Sequence, residues 1–118
     1  MAAPKWAQDL TIQVALNERA ESLPDLRWRH RKKQHSSGIT YPDHITITAG
    51  TDRKDQRLLL LHELVHWLLP GEHHSDRFWD KAFELYRRYG VPMLYARKRE
   101  MQYRKAALPA YRRNRKGL

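Results

Sequence analysis

Cysteine is absent from the 118 residues. Disulfides and thiolate metal ligands are thereby excluded, so a metal site in this chain must draw on His, Asp or Glu. The lack of disulfides also suits a reducing compartment. No apolar run reaches the roughly 18 residues that a membrane-crossing helix needs. The opening stretch, MAAPKWAQDL, has no apolar core of the kind a secretory signal carries. A soluble, cytoplasmic protein is therefore expected. The length suits one modest hydrophobic core.

Acidic residues are scarce in one region only. Through residue 85, 12 Lys and Arg balance 12 Asp and Glu. Residues 86–118 hold 11 Lys and Arg and a single acid, Glu100. The whole net charge of +10 thus lies in the last third. Such asymmetry points to an anionic partner, nucleic acid being the usual one.

The chain is organised around RLLLLHELVHWLLPGEHHSDRFW, residues 57–79. It contains His62-Glu63-Leu64-Val65-His66, an HExxH motif. Residues four apart share one face of a helix, so His62 and His66 can aim two imidazoles at one point. A catalytic zinc adds a third protein ligand and a water. Glu63, one step round the helix, is placed to take a proton from that water rather than to bind the metal. Leu58 to Leu61 and Trp67 to Leu69 make this helix apolar nearly all round, which implies burial. The competing reading is a core helix whose histidines are simply hydrogen-bonded to neighbours.

Taken in order, residues 4–21 read as a first helix, with Trp6, Leu10 and Val14 recurring every four and Pro24 beyond its end. From Asp25 the period changes to two. Leu26, Trp28 and His30 alternate with Arg27, Arg29 and Arg31 as in a half-buried strand. A turn over Lys32 to Gly38 leads to a second strand at Ile39 and Tyr41. A third holds Ile45 and Ile47, and succession implies an antiparallel meander. The basic cluster Arg27 to Lys33 reads either as a solvated strand face or as part of a nucleic-acid surface. Asp52 or Thr51 caps the motif helix, and Pro70-Gly71 stops it. Ser75 caps a further helix whose stripe of Phe78, Trp79, Ala82, Phe83, Tyr86 and Tyr89 reads as core. Gly90 ends that helix and Pro92 opens another.

The third ligand must come from Glu72, His73, His74, Asp76, Asp80 or Glu84. A metzincin arrangement fails, because Glu72 stands where its third His belongs. A thermolysin-like arrangement would use Glu84 on the later helix.

The stretch from His62 to Trp79 resembles the SprT-like and YgjP-like zinc metallopeptidases. Their pattern is HEL, a short loop, then His-Ser or His-Gly and, two residues on, an aromatic pair. Here it reads His62-Glu63-Leu64, His66, then His74-Ser75-Asp76-Arg77-Phe78-Trp79. Upstream, Trp28 on a basic strand, Gly38 and Ile45-Thr46-Ile47 follow the same order, so the likeness covers about residues 26–90. Two departures stand. The loop from His66 to His74 is longer than in typical YgjP-like members, and no cysteine exists for the zinc-ribbon extensions of larger SprT-like proteins. The resemblance implies an α+β zincin-like domain over residues 1–91, a short antiparallel sheet packed on the HExxH helix, and a basic segment over 92–118. It implies zinc held by His62, His66 and His74, Glu63 as general base, and peptide-bond hydrolysis, with DNA-associated proteins as the family's substrate class.

The basic segment carries Arg97-Lys98-Arg99, Arg104-Lys105 and Arg112 to Lys116, interleaved with Tyr95, Tyr103 and Tyr111. It reads as partly helical, broken at Pro109. Either it is a solvated, frayed tail, or its cations meet phosphates while its tyrosines stack on bases. Two other classes remain in view. One is a nucleic-acid-binding protein with a closed structural zinc, for which His73 supplies a fourth ligand. The other is a metal-dependent hydrolase of a different bond.

Overall fold

The computed structural model describes residues 2–101 and 104–115. Tyr103 and Lys116 of the basic segment, and the side chain of Arg104, lie outside the described residues. The fold is α+β. Its elements are α1 (Lys5–Asn17), β1 (Asp25–His30), β2 (Ser37–Thr40), β3 (His44–Ala49), α2 (Arg53–Leu68), α3 (Asp76–Arg88), α4 (Met93–Arg99) and α5 (Arg104–Arg115). They group into two compact units, Met1–Leu68 and Leu69–Leu118. Among the described residues, no helix is long and apolar enough to cross a membrane.

The first helix is shorter than its apolar spacing suggests. Arg19 adopts a left-handed φ of 55°. Its N–H then reaches Leu16 O at 3.3 Å, and the N–H of Ala20 reaches Ala15 O at 2.9 Å. This paired closure is the usual way a helix satisfies its last carbonyls, and it ends α1 well before Pro24.

The antiparallel meander is half right. β2 pairs antiparallel with β3, but β1 also pairs with β3, in parallel, giving the order β1-β3-β2. The reason lies in side chains. β3 carries Ile45, Ile47 and Ala49, all fully buried, and the most apolar strand takes the centre. The arginine-rich β1 and the short, glycine-bearing β2 take the edges, where charge and brevity discourage further pairing. The two faces of β2 are set by its register with β3. Ile39 and Tyr41 point to solvent, 55% and 41% exposed. Gly38 and Thr40 pair with Ile47 and Ile45, so they share the inner face on which α2 packs.

α2 begins where the capping chemistry predicts. Asp52 Oδ1 accepts from the N–H of Lys54 at 2.9 Å and of Asp55 at 3.4 Å. Burial raises the Asp52 pKa, but these two amides and Lys54 outweigh it and hold the carboxyl below its ordinary range. Beyond the first turn, every residue from Leu58 to Val65 is buried, as an all-round apolar helix requires. Asp55, fully buried, faces the β1–β2 loop, where its Oδ2 accepts from the N–H of Ser36 at 2.6 Å. The Ser36 hydroxyl in turn accepts from the N–H of Gly50 at 2.8 Å. These links tie the loop that crosses the sheet to the start of α2.

In the second unit, Ser75 caps α3 by accepting from the N–H of Phe78 at 3.2 Å. The aromatic stripe is core as read: Phe78, Trp79, Phe83 and Tyr86 are fully buried. Gly90, at φ 85°, lets the chain turn off the helix, with the N–H of Val91 closing onto Tyr86 O at 2.9 Å. Among the described residues, the basic segment is helical rather than a frayed tail. α5 runs through Pro109 and packs on α3, burying Ala107, Ala110 and Tyr111. Tyr111 meets Phe83 edge-on at 5.9 Å, and Arg113 pairs with Asp80 at 2.6 Å. This burial offsets the hydrogen bond that Pro109 cannot donate.

Asp55→Ala should lower the unfolding free energy in urea by about 1–3 kcal/mol, the cost of a buried N–H left without an acceptor. A loss under a few tenths of that range would show that Ser36 finds water instead.

Candidate metal centre

His62 and His66 lie one turn apart on α2, as the motif spacing requires. Their rings meet at 5.2 Å between centroids, 65° apart in plane. His62 is buried and His66 half-buried. Glu63, between them in sequence, is only 5% exposed. A buried carboxylate needs partners, and Thr40 provides one. The Thr40 hydroxyl lies 2.9 Å from Glu63 Oε1 and 2.9 Å from the Glu63 main-chain O, so its single proton is in reach of both.

Gly38 sets how closely helix and sheet approach there. A β-carbon at that position would sit 2.9 Å from Glu63 Cγ, 3.0 Å from Ile47 Cδ1 and 3.1 Å from Thr46 O. Two of these neighbours are held in the core or the ladder, so only glycine leaves Glu63 its place. Neither Gly38 nor Thr40 is apparent as a site residue from sequence. The available signal was the period-two spacing that sets both on the face opposite Ile39 and Tyr41.

His74 occupies the loop before α3 in a left-handed conformation, φ 57°. Histidine enters that region more readily than most residues, and strained positions of this kind gather at functional sites. Its ring stacks on Trp79 at 5.5 Å and 20° and meets the edge of Phe78 at 4.9 Å. The aromatic pair of the motif is thus the platform that orients this imidazole.

Each of His62, His66 and His74 offers one nitrogen, and the three nitrogens lie within 4.8 Å of one another. This group could hold a metal ion. The donor set suits a borderline cation such as zinc. Among the described residues, no fourth His, Asp or Glu joins the group.

The other candidates are engaged elsewhere. Glu72 accepts from Ser75 Oγ at 2.5 Å and lies 3.7 Å from Arg77. Glu84 pairs with Lys81 at 3.0 Å and Arg88 at 3.5 Å, and Asp80 with Arg113. His73 and Asp76 are exposed. Neither a thermolysin-like site on Glu84 nor a fourth ligand from His73 is assembled.

No protein-family model, curated protein or solved structure matches the chain.

His74→Ala and His73→Ala separate the two adjacent candidates. After dialysis against zinc, His74→Ala should retain well under half of the bound metal and His73→Ala should match the parent. The reverse pattern would move the third ligand to His73.

Proposed function

We propose that this protein is a zinc metallopeptidase of SprT-like type, with His62, His66 and His74 as ligands and Glu63 as the catalytic base. One observation carries the reading. Three imidazoles form a group that could hold a metal ion, and Glu63, next to one of them in sequence, is buried, outside that group and held by a hydroxyl. A structural site is normally closed by four protein ligands, whereas three leave a position for chemistry. Zinc at such a site acidifies a water and polarises the carbonyl under attack.

The chain's own contribution follows from its geometry. Glu63 takes a proton from the attacking water and returns it to the departing amine. Thr40 holds the carboxylate by one oxygen. Burial around Glu63 limits competing solvent and strengthens each contact. Trp79 and Phe78 keep His74 from swinging away. The scissile bond belongs to a protein or peptide, with DNA-associated proteins the class that the family likeness suggests.

Exposed cations on the last two helices, Lys98, Lys105 and Arg112 among them, support an electrostatic contact with nucleic acid. Tyr111 is buried against Phe83, so this ring does not offer stacking on bases; Tyr95 is half-buried. A cytoplasmic setting, where thiols are reduced, fits a chain without cysteine.

Glu63→Gln should keep zinc and fold yet lose at least about 10²–10⁴-fold in turnover of a labelled unfolded protein, the range for a general base. Near-normal turnover in this variant would remove the mechanism. Thr40→Val should lower kcat about tenfold with KM little changed, and Thr40→Ser should restore it. If Thr40→Val changes KM alone, the hydroxyl serves substrate binding rather than the carboxylate.

A further inference from the structure

The three-stranded sheet has a second face, and α2 does not cover it. Register sets its composition. Arg27 pairs with Thr46 and Arg29 with Thr48 across β1 and β3, while Ile39 pairs with Thr46 and Ser37 with Thr48 across β2 and β3. Arg27 and Arg29 are exposed, and Thr46 and Thr48 half-buried. The strands enclose a shallow depression of about 670 Å³ with the two threonines as its floor.

At one end of the depression, Tyr41 and His44 are stacked in parallel, 4.4 Å apart and 13° from coplanar. The His44 Nδ1 is 2.6 Å from Asp43 Oδ1, which fixes the ring, and the Tyr41 N–H donates to His44 O at 2.8 Å. The pair is therefore a rigid aromatic platform with Tyr41 open to solvent. Acids are few on this face and sit together at the same end. Asp43 is bound to His44, and Asp25 lies 3.5 Å from Arg27. Cations continue the other way, through Arg29 and Arg31 to Lys32 and Lys33.

We propose that this outer sheet face binds a single nucleic-acid strand, with Arg27 and Arg29 on phosphates and an unpaired base stacked on Tyr41. The chemistry is that of single-strand recognition: a cationic groove that follows the backbone, joined to an aromatic ring that any base can cover. A duplex, whose bases are already stacked on one another, offers Tyr41 no unpaired base along its length. This surface is independent of the metal centre, and it supplies the stacking that Tyr111 cannot.

The test is fluorescence anisotropy of a labelled 15-residue oligothymidylate with the intact chain, across a salt series. Arg27→Ala/Arg29→Ala should flatten the log–log salt slope by about 1.4, since each single-strand phosphate contact contributes about 0.7. Tyr41→Ala should weaken binding by about 5- to 150-fold with an unchanged slope, the range for one stacked base. Tyr41→Phe, which keeps the ring, should bind like the parent and shows that the site is still folded. Lys105→Ala/Arg112→Ala reports on the last helix instead and should leave the Tyr41 effect intact. The inference fails if the oligothymidylate does not bind. It fails equally if Tyr41→Ala binds as the parent does, or if a duplex of equal length binds as tightly as the single strand.

Discussion

Burial of the motif helix governs the first unit. From Leu58 to Val65 the helix has no solvent side. Two of those residues, His62 and Glu63, are polar, and a polar group withdrawn from water is costly unless something in the protein replaces the water. The surrounding structure supplies the replacements. Thr40 reaches Glu63 from the sheet, and Gly38 has no side chain because one would collide with the Cγ methylene of the same residue. Asp55 repeats the logic one turn in, holding the loop that leads into β2. The strand that carries Gly38 and Thr40 is thus held at both its start and its inner face by the helix it serves.

That dependence also rationalises the sheet. β2 lies against the motif helix at one edge of the sheet, and β3 separates it from β1. The loop after β1 therefore crosses to the far side of β3 before the chain returns through the centre. Parallel pairing of β1 with β3 follows from that crossing. The same arrangement puts the arginines of β1 on the open face, since Trp28 and Leu26 take the alternate positions. Trp28 is packed edge-on against Trp6 at 5.8 Å, and Arg53 lies 4.2 Å above the Trp6 ring.

In the second unit one aromatic stripe has two uses. Its N-terminal members, Phe78 and Trp79, hold His74; its middle, Phe83 and Tyr86, packs against later elements. Tyr86 donates to the buried Glu100 at 3.2 Å, so the one acid of the basic segment is inside rather than on its surface. The exposed charge of that segment is consequently more uniform than its sequence suggests.

Much was determined by the sequence alone, and the reasons are local. Helix periodicity sets His62 and His66 on one face whatever surrounds them. The caps at Asp52 and Ser75 depend on a side chain and amides within three residues, so they were legible. So was the core stripe of α3, whose amphipathic spacing needs no knowledge of its partner. Tertiary structure decided the rest, because it rests on contacts between residues far apart in the chain. Strand order depended on which strand was most apolar relative to the others, not on succession. The face of β2 depended on helix packing, which turned Ile39 and Tyr41 outward and gave Thr40 its role 23 residues before Glu63. Spacing left several side chains open as third ligand, and the family likeness singled out His74. The structure shows Glu72, Asp80 and Glu84 drawn to cations or hydroxyls of their own, and His74 in the group with His62 and His66 that could hold a metal ion. Pro109, read locally as a break, is carried inside a helix because burial against α3 outweighs a single missing hydrogen bond.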